Sequence, residues 1–288
     1  MAKSPSHKFG QIIGNLLEDI IYPFLNEFAK RNGCYVDKAG NRGGARSGKK
    51  VTWTDRYGNS HDLDFVLEKD GTGDKQGRPL AFIEAAWRRY TKHSKNKAQE
   101  IQGAILPIAE NYAWDAPFLG AVIAGEFTSA SIKQMESVGF TVLYFSYQSI
   151  LSSFNEVGID VSFDESTPDE RFDECVKSLE DLSEEKWDRI KASLVSINEE
   201  EIKTFMGKLS VALERKIEKI LVVPLFGKSY EFLSIADAKH FLCSDFDASV
   251  EKGFKKIEVV VVYSNGDKVD GVFHTVEKAD EFLNYACK

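Results

Sequence analysis

Residues 61–87 read HDLDFVLEKDGTGDKQGRPLAFIEAAW, in which a polar, glycine-rich link joins two strand-like runs. The link extends from Lys69 to Pro79, so its midpoint is residue 74. A hairpin centred there pairs residues whose numbers sum to 148, which places Asp64 opposite Glu84. Directly opposed residues on antiparallel strands have Cβ atoms about 4.5–5.5 Å apart on one face. This stretch therefore predicts two carboxylates facing each other across a hairpin.

The sequence on either side of the hairpin predicts helices and further strands. Residues 7–31 repeat apolar side chains at helical spacing, and Pro23 is expected to kink or split this helix. A second helix is predicted from Ser94, a good N-cap residue, and the buried strands FLGAVIAG and FTVLYF follow with a short helix between them. This order predicts an α/β fold in which a mixed central sheet is flanked by helices.

The rest of the chain predicts two further parts. Residues 159–218 are acidic and have a helical pattern, whereas residues 219–288 contain a weak internal repeat. Within it, KILVVPLFGKSYEFLSIADAKHFL resembles KIEVVVVYSNGDKVDGVFHTVEKADEFL, and each copy predicts a strand, a turn, a strand and a short helix. We therefore expect a core at 1–158, a helical segment at 159–218, and a tandem ββα domain at 219–288 that serves recognition or dimerisation.

The paired carboxylates require a compensating partner. At an effective dielectric constant near 20, two charges about 5 Å apart repel by about 3 kcal/mol. A shared proton, an arginine or a bound cation offsets this, and oxygen ligands on a rigid sheet suit Mg²⁺. Asp64 and Glu84 are the predicted metal ligands, and Asp62 is a further candidate on the same strand face. The alternative is a pair of solvated carboxylates on a half-exposed face.

The pattern D-x19-E across a hairpin, after a helix and before a lysine-rich helix, resembles the PD-(D/E)xK nuclease superfamily over about residues 7–155. Among its branches, restriction endonucleases are the most similar. The resemblance implies a restriction-endonuclease-like core and metal-dependent hydrolysis of DNA phosphodiester bonds. It also implies a glutamate on the first helix near the metal, and Glu18 fits that position. An ordinary exposed helix residue is the alternative interpretation of Glu18.

One position departs from the family pattern, because Ala86 stands where a lysine follows the glutamate by two residues. Related nucleases sometimes supply this lysine from the following helix. Lys97 shares one helix face with Ile101 and Ile105, so it is expected to project towards the hairpin. Lys95 lies about 200° away around the helix. The predicted catalytic residues are Asp64, Glu84, Lys97 and Glu18.

Charge is distributed unevenly along the chain. The net charge is −8, yet residues 28–60 carry eight basic and two acidic residues, and residues 155–218 carry eighteen acidic and nine basic residues. A basic working face on an acidic body favours a nucleic-acid partner, and ordinary solvated surface is the alternative. The residues expected to bind double-stranded DNA are Arg42, Arg46, Lys49 and Lys50 in a mobile basic arm, and Arg88, Arg89, Lys92 and Lys95 after the hairpin.

Composition and termini bound the remaining possibilities. No apolar run approaches the roughly 18–20 residues that span a bilayer, and the N-terminus lacks a signal-peptide pattern, so a cytoplasmic protein is expected.

The leading hypothesis is a Mg²⁺-dependent endonuclease, of the type II restriction class, that cuts double-stranded DNA as a homodimer. The alternatives are a DNA-binding module with a decayed site, which Ala86 favours, and a nuclease for junctions or modified DNA.

Overall fold

The computed structural model describes four stretches of the chain, which are residues 4–90, 94–224, 228–246 and 256–286. The chain forms two compact units, of which the first comprises Met1–Asn111 with Phe118–Leu209, and the second Tyr112–Pro117 with Ser210–Lys288. This division differs from the three predicted domains. The acidic helices belong to the first unit, because they pack against its N-terminal helix and the helix after its last strand.

The first unit contains a five-stranded mixed sheet and a two-stranded ribbon. Its elements in chain order are α1 (Pro5–Asn32), β1 (Cys34–Lys38), β2 (Val51–Thr54), β3 (Ser60–Leu63), β4 (Phe65–Lys69), β5 (Arg78–Arg88), α2 (Ser94–Asn111), β6 (Phe118–Gly125), α3 (Ser129–Ser137), β7 (Phe140–Ser146), α4 (Tyr147–Asn155), α5 (Asp169–Glu180), α6 (Glu184–Ile197) and α7 (Glu199–Leu213). The sheet order is β1-β4-β5-β6-β7, antiparallel up to β5 and parallel beyond it. The predicted α/β fold with a mixed central sheet and flanking helices is confirmed.

The hairpin of β4 and β5 has the predicted register. Phe65 pairs with Ile83, so the residue numbers of each pair sum to 148 until a bulge between Leu67 and Glu68 shifts the remaining pairs by one. The first four residues of β4 are buried, as expected for a strand inside a sheet with helices over it. The hairpin is therefore part of the hydrophobic core, and its open end leads to the candidate site.

Helix α1 forms one wall of that site and continues without a break through Pro23. The Ser4 side chain caps it by accepting a hydrogen bond from the backbone N–H of His7, and it ends at Gly33 in the left-handed region. Nine buried residues on both sides of Pro23 pack against the sheet and α5, and this packing outweighs one missing backbone hydrogen bond. Among the helices that the structure describes, none has the length and apolarity needed to cross a membrane.

The second unit contains the two ββα copies. Its elements are β8 (Ile217–Val223), β9 (Tyr230–Phe232), α8 (Ile235–His240), a π-helical turn (Phe241–Asp245), β10 (Ile257–Tyr263), β11 (Lys268–Phe273) and α9 (Val276–Ala286). They form an antiparallel sheet of order β11-β10-β8-β9. Val222 and Val259 occupy the same place in the two copies and pair with each other, so an approximate two-fold axis passes between them.

The short segment Tyr112–Pro117 also belongs to the second unit. The ring of Trp114 lies 5.0 Å from that of Phe282 in an edge-to-face contact. The Arg215 guanidinium donates a hydrogen bond to the carbonyl oxygen of Asp115 at 2.6 Å. Although the segment lies between α2 and β6 in sequence, aromatic packing and hydrogen bonds make it part of the ββα unit.

Candidate active site

The structure brings the side chains of Asp64 and Glu84 together at the open end of the β4–β5 hairpin. Asp64 occupies the bend between β3 and β4, and Glu84 lies half-buried on β5. The Oδ2 atom of Asp64 accepts a hydrogen bond from the backbone N–H of Ala85 at 2.7 Å, and the two carboxyl groups share a hydrogen bond. The contact follows from the strand register, because the pairing of Phe65 with Ile83 continues to these two residues.

The charges of the two carboxyl groups interact strongly. Burial raises the pKa of Glu84 far above its ordinary value, and the charge of Asp64 and the hydrogen bond between them raise it further. The pair therefore favours retaining a proton more than a single exposed glutamate would. A divalent cation in place of that proton would relieve the same repulsion.

Glu18 on α1 is a third carboxylate in this group. Burial raises the pKa of Glu18 from 4.5 to about 7, with further increases from the charges of Asp64 and Asp19 and a decrease from Lys38. Burial is the largest cause of the raised pKa of Glu84, and the charge of Glu18 raises this pKa further. Glu18 is half-buried rather than an ordinary exposed helix residue, so the structure places it beside the pair.

Lys97 on α2 supplies a positive charge near Glu84. Its side chain is only 25% exposed, and its Nζ atom lies 3.1 Å from Oε2 of Glu100. The charge of Lys97 opposes the rise in the pKa of Glu84 that burial produces, so the two groups are electrostatic neighbours. Lys95, two residues earlier, is exposed. The two lysines therefore face the directions that helical periodicity predicts.

A cleft of about 440 Å³ is lined by Lys97 and by Ala85, the residue after Glu84, whereas Asp64, Glu84 and Glu18 are not among its lining residues. The N-terminal half of α1 forms one wall, the end of β5 forms the other, and α2 contributes Lys97. The residues lining the cleft are Ser6, His7, Phe9, Gly10, Gln11, Gly14, Ala85, Ala86, Trp87, Arg88, Arg89, Tyr90 and Lys97. Ala86 is buried and is one of the residues that line the cleft.

Two polar residues of α1 in this cleft were not singled out from the sequence. His7 and Gln11 recur with Gly14 and Glu18 at helical spacing, so all four lie on one face of the helix. No atom lies within 4 Å of where a Cβ on Gly14 would be, so this glycine widens the cleft. The periodic spacing with Glu18 was the signal that could have identified them.

Asp62 does not join this group. It lies on the exposed face of β3, opposite Thr52 of β2. Its carboxylate accepts hydrogen bonds from Nζ of Lys50 and, at 2.8 Å, from Oγ1 of Thr52, and these bonds hold the pKa of Asp62 below its usual range. The bend at Asp64 ends β3 before β4 begins, so the alternation of faces assumed for a continuous strand is broken. The position of Asp62 therefore does not support a metal-binding role.

The prediction that Arg42 contacts DNA from a mobile arm is wrong, because this arginine is buried. Its Nη1 and Nη2 atoms donate to the two carboxylate oxygens of Glu68 at 2.6 and 2.8 Å, and Nη1 lies 2.8 Å from Oδ2 of Asp37. It also donates to the carbonyl oxygens of Thr72 and Lys75. Glu68 is fully buried in β4, where an unpaired carboxylate would be strongly destabilising. Arg42 therefore stabilises the core.

Arg46 belongs to the same network. Its Nε and Nη2 atoms donate to the two oxygens of Asp37, both at 3.1 Å, and its side chain is 12% exposed. The predicted DNA contact of Arg46 is therefore not supported. Lys49 and Lys50 are exposed, with Lys50 paired to Asp62. Lys49 and Lys50 are therefore the two basic residues of the predicted arm that are exposed to solvent.

The remaining predicted DNA-binding residues lie at the end of β5 and beyond. Arg88 and Arg89 line the cleft, and Nη2 of Arg88 lies 3.1 Å from Oε2 of Glu100. The guanidinium carbon of Arg89 lies 3.9 Å from the ring centre of Tyr90, and burial lowers the pKa of Arg89. Both arginines are thus placed to meet an anion that enters the cleft. Lys92 lies outside the described residues.

The carboxylates at this site fit a Mg²⁺ site with few protein ligands better than a site built from three or more protein ligands. Within the described ranges, no group of three or more His, Cys, Asp or Glu side chains is arranged to hold a metal ion. The set present is the coupled pair Asp64 and Glu84 with Glu18 beside it. Mg²⁺ is commonly held by one or two carboxylates and completes its coordination with water and phosphate oxygens. The pair therefore fits Mg²⁺ bound together with a phosphate-containing substrate.

Comparison with protein-family models gave no match, and neither did comparison with curated proteins. One solved structure that matches is titled as the crystal structure of a protein of unknown function and is 13% identical in sequence. The match covers 67% of this chain and 99% of that chain, with a TM-score of 0.29. A structural similarity at this level carries no argument about function.

Proposed function

We propose that this protein is a Mg²⁺-dependent endonuclease with a restriction-endonuclease-like core, which hydrolyses phosphodiester bonds of double-stranded DNA as type II restriction enzymes do. The observation that carries the proposal is the contact of Asp64 with Glu84, whose charges also interact with those of Glu18 and Lys97, and Lys97 lines the adjoining cleft. Titratable groups perturbed by burial and by one another, next to a cleft, are typical of active sites.

The four residues take three roles in this proposal. Asp64 and Glu84 would hold Mg²⁺, which when bound lowers the pKa of a coordinated water and neutralises charge on the phosphate. Lys97 orients the attacking water or stabilises the charge that develops on the phosphate. Glu18 lies just outside this pair and assists it from beyond the metal ligands.

DNA binding is assigned to the basic residues that remain accessible. Lys49, Lys50 and Lys95 are exposed, and Arg88 and Arg89 line the cleft, so these side chains contact backbone phosphates. Cutting both strands of a duplex calls for two active sites, and a symmetric homodimer provides them.

The test is nicking of a supercoiled plasmid in the presence of Mg²⁺, with EDTA as the metal-free control. Asp64→Asn and Glu84→Gln should each abolish nicking, because both remove a metal ligand while keeping the shape of the side chain. Glu136→Gln, an exposed change on α3, is the control and should nick at close to the wild-type rate. Near wild-type, Mg²⁺-dependent activity in either site variant would show that the assignment is wrong.

A DNA-binding module without catalytic activity is the second candidate, and Ala86 favours it. The family pattern has a lysine at this position, and the alternative Lys97 is already paired with Glu100. In that case the wild-type protein would bind the plasmid and leave it uncut under every metal condition. A nuclease for junctions or modified DNA would share the same site, and would be recognised by preferential cutting of such substrates over plain duplex.

A further inference from the structure

The ribbon formed by β2 and β3, residues 51–63, has two chemically different faces. Val51, Trp53 and Leu63 are buried, and the ring of Trp53 lies 5.4 Å from that of Phe82 in the central sheet. The residues that alternate with them are exposed, namely Thr52, Thr54, Ser60 and Asp62. The outward face therefore presents hydroxyl and carboxylate groups at regular spacing on a two-stranded support.

The tip of the ribbon is a turn held by hydrogen bonds, and it exposes two large side chains. The buried carboxylate of Asp55 accepts hydrogen bonds from the backbone N–H groups of Tyr57 and Asn59 at 2.8 and 2.9 Å. Gly58 supplies the positive φ of 86° that the turn needs. Tyr57 is 73% exposed beside Arg56, so a rigid turn holds an aromatic ring and a guanidinium in solvent.

Exposed cations lie at both ends of the ribbon, with Lys49 and Lys50 directly before β2 and Arg56 at the tip. The ribbon itself carries Arg56 against Asp55 and Asp62, so any attraction to a polyanion comes from these three cations and not from the ribbon's net charge. Lys50 pairs with the exposed Asp62. Arg56 lies 3.6 Å from Glu110, but both side chains are more than half exposed, so this ion pair is weak and easily exchanged.

The ribbon is also fixed in place relative to the candidate active site. Nδ2 of Asn111 donates a hydrogen bond to the carbonyl oxygen of Thr54 at 3.3 Å, and β3 continues directly into Asp64. At about 3.3 Å per residue, the tip at Gly58 lies at most roughly 20 Å from Asp64. This distance corresponds to about six base pairs at 3.4 Å each.

We propose that this ribbon reads base pairs of duplex DNA from the major groove, within about six base pairs of the cut. The major groove is about 12 Å wide and admits a two-stranded β-ribbon. Arg56 at the tip can contact guanine through two hydrogen bonds, and the hydroxyls of Thr54 and Ser60 can donate to or accept from base edges. The inference rests on the proposed function, and it assigns base recognition to the ribbon rather than to residues 219–288.

The test separates sequence recognition from cleavage. Wild-type protein and variants are used to select from a randomised duplex library in EDTA, and the retained DNA is sequenced. The tip variant is Arg56→Ala with Tyr57→Ala, and the face variant is Thr54→Ala with Ser60→Ala. The matched control is Lys133→Ala with Val138→Ala, which removes one cation and one apolar side chain from exposed positions of the first unit.

Wild type and control should enrich one sequence pattern, whereas the tip and face variants should not. Affinity of these variants for the enriched sequence should fall about 5- to 100-fold, while affinity for random DNA should change far less. Thermal melting should show that all variants remain folded, because the substituted side chains are exposed.

Two outcomes would overturn the inference. Unchanged enrichment by the folded tip and face variants would place base recognition elsewhere, and the nuclease proposal would still stand if wild type nicks plasmid with Mg²⁺. Absence of any enrichment by wild type would likewise remove the ribbon as a reader of sequence. The plasmid assay would then decide separately whether the protein is a nuclease without sequence preference.

Discussion

The carboxyl groups of Asp64 and Glu84 share a hydrogen bond, and the backbone N–H of Ala85 fixes Asp64 from the same strand as Glu84. The backbone of β5 therefore holds the Asp64 carboxylate in one orientation, whereas a free side chain would rotate among several. A site held in this way is preorganised, so little rearrangement is needed when a cation and a phosphate bind.

Replacing Glu18 with glutamine should flatten the pH dependence of stability in the metal-free protein. The folded-state pKa of about 7 lies above the ordinary value of 4.5, so the folded protein binds this proton more tightly than the unfolded chain does. Its contribution to stability is complete below pH 4.5 and is lost as pH rises through about 7. Denaturant unfolding in EDTA across this range measures the slope. Glu136→Gln, an exposed change on α3, should leave the slope unaltered.

Lys97→Ala should slow cleavage by roughly 10²–10³-fold with little loss of DNA affinity, because a donor positioned for the transition state is worth about 2.7–4 kcal/mol. Lys95→Ala is the matched control and should mainly weaken binding. Single-turnover cleavage and equilibrium binding separate the two effects.

A rescue experiment makes this assignment sharper. Ala86→Lys in the Lys97→Ala background should restore part of the rate, because Ala86 lines the same cleft and can deliver an ammonium group to it. A wild-type rate for Lys97→Ala, together with an inactive Lys95→Ala, would mean that the catalytic lysine has been misassigned.

Arg42→Ala should destabilise the protein by about 3–5 kcal/mol, because it leaves the buried carboxylates of Asp37 and Glu68 without their partner. Lys49→Ala is the matched loss of a cation from the same loop and should be close to neutral for stability. Denaturant unfolding measures both. A small effect of Arg42→Ala would contradict the core role assigned to this arginine.

Lys49→Ala combined with Lys50→Ala should reduce the salt dependence of DNA binding. Removing one lysine–phosphate interaction lowers the log–log slope by about 0.9, because fewer counterions are released on binding. Titrations at several salt concentrations give the slope. An unchanged slope would place the DNA on another surface.

Light scattering should give twice the chain mass if the predicted homodimer forms. The physical reason is that cutting two antiparallel strands needs two copies of the site related by a two-fold axis. Measurement at the concentrations used for cleavage is the relevant condition, and a monomeric mass there would count against the dimer.

The parts of the site that the sequence predicted depend on local periodicity. Asp64 meets Glu84 because the strand pairing at Phe65 and Ile83 continues to them, although the pairs nearest the link are shifted by one and the bulge restores the predicted register. Lys97 is turned towards Glu84 because a helix repeats every 3.6 residues. These regularities act within one or two elements, so spacing alone is enough to use them.

The predictions that were wrong or unsupported depended on contacts that spacing does not reveal. Asp62 is turned outward by a bend at Asp64 that the hydrophobic pattern does not show. Arg42 is drawn into the core by Glu68, which lies 26 residues away. One signal was available, because a glutamate inside the apolar run FVLEK needs a cation if the strand is central. Nothing in the sequence indicated which arginine would provide it.

The segment Tyr112–Pro117 makes the chain pass between the two units three times, after Asn111, after Pro117 and after Leu209. During synthesis, Trp114 is made 168 residues before Phe282. At about 5–20 residues per second it waits roughly 8–34 s for this packing partner. A cut after Leu209 would likewise separate Trp114 from Phe282. The ββα unit therefore cannot be released whole by one proteolytic cleavage, and its folding is tied to completion of the C-terminus.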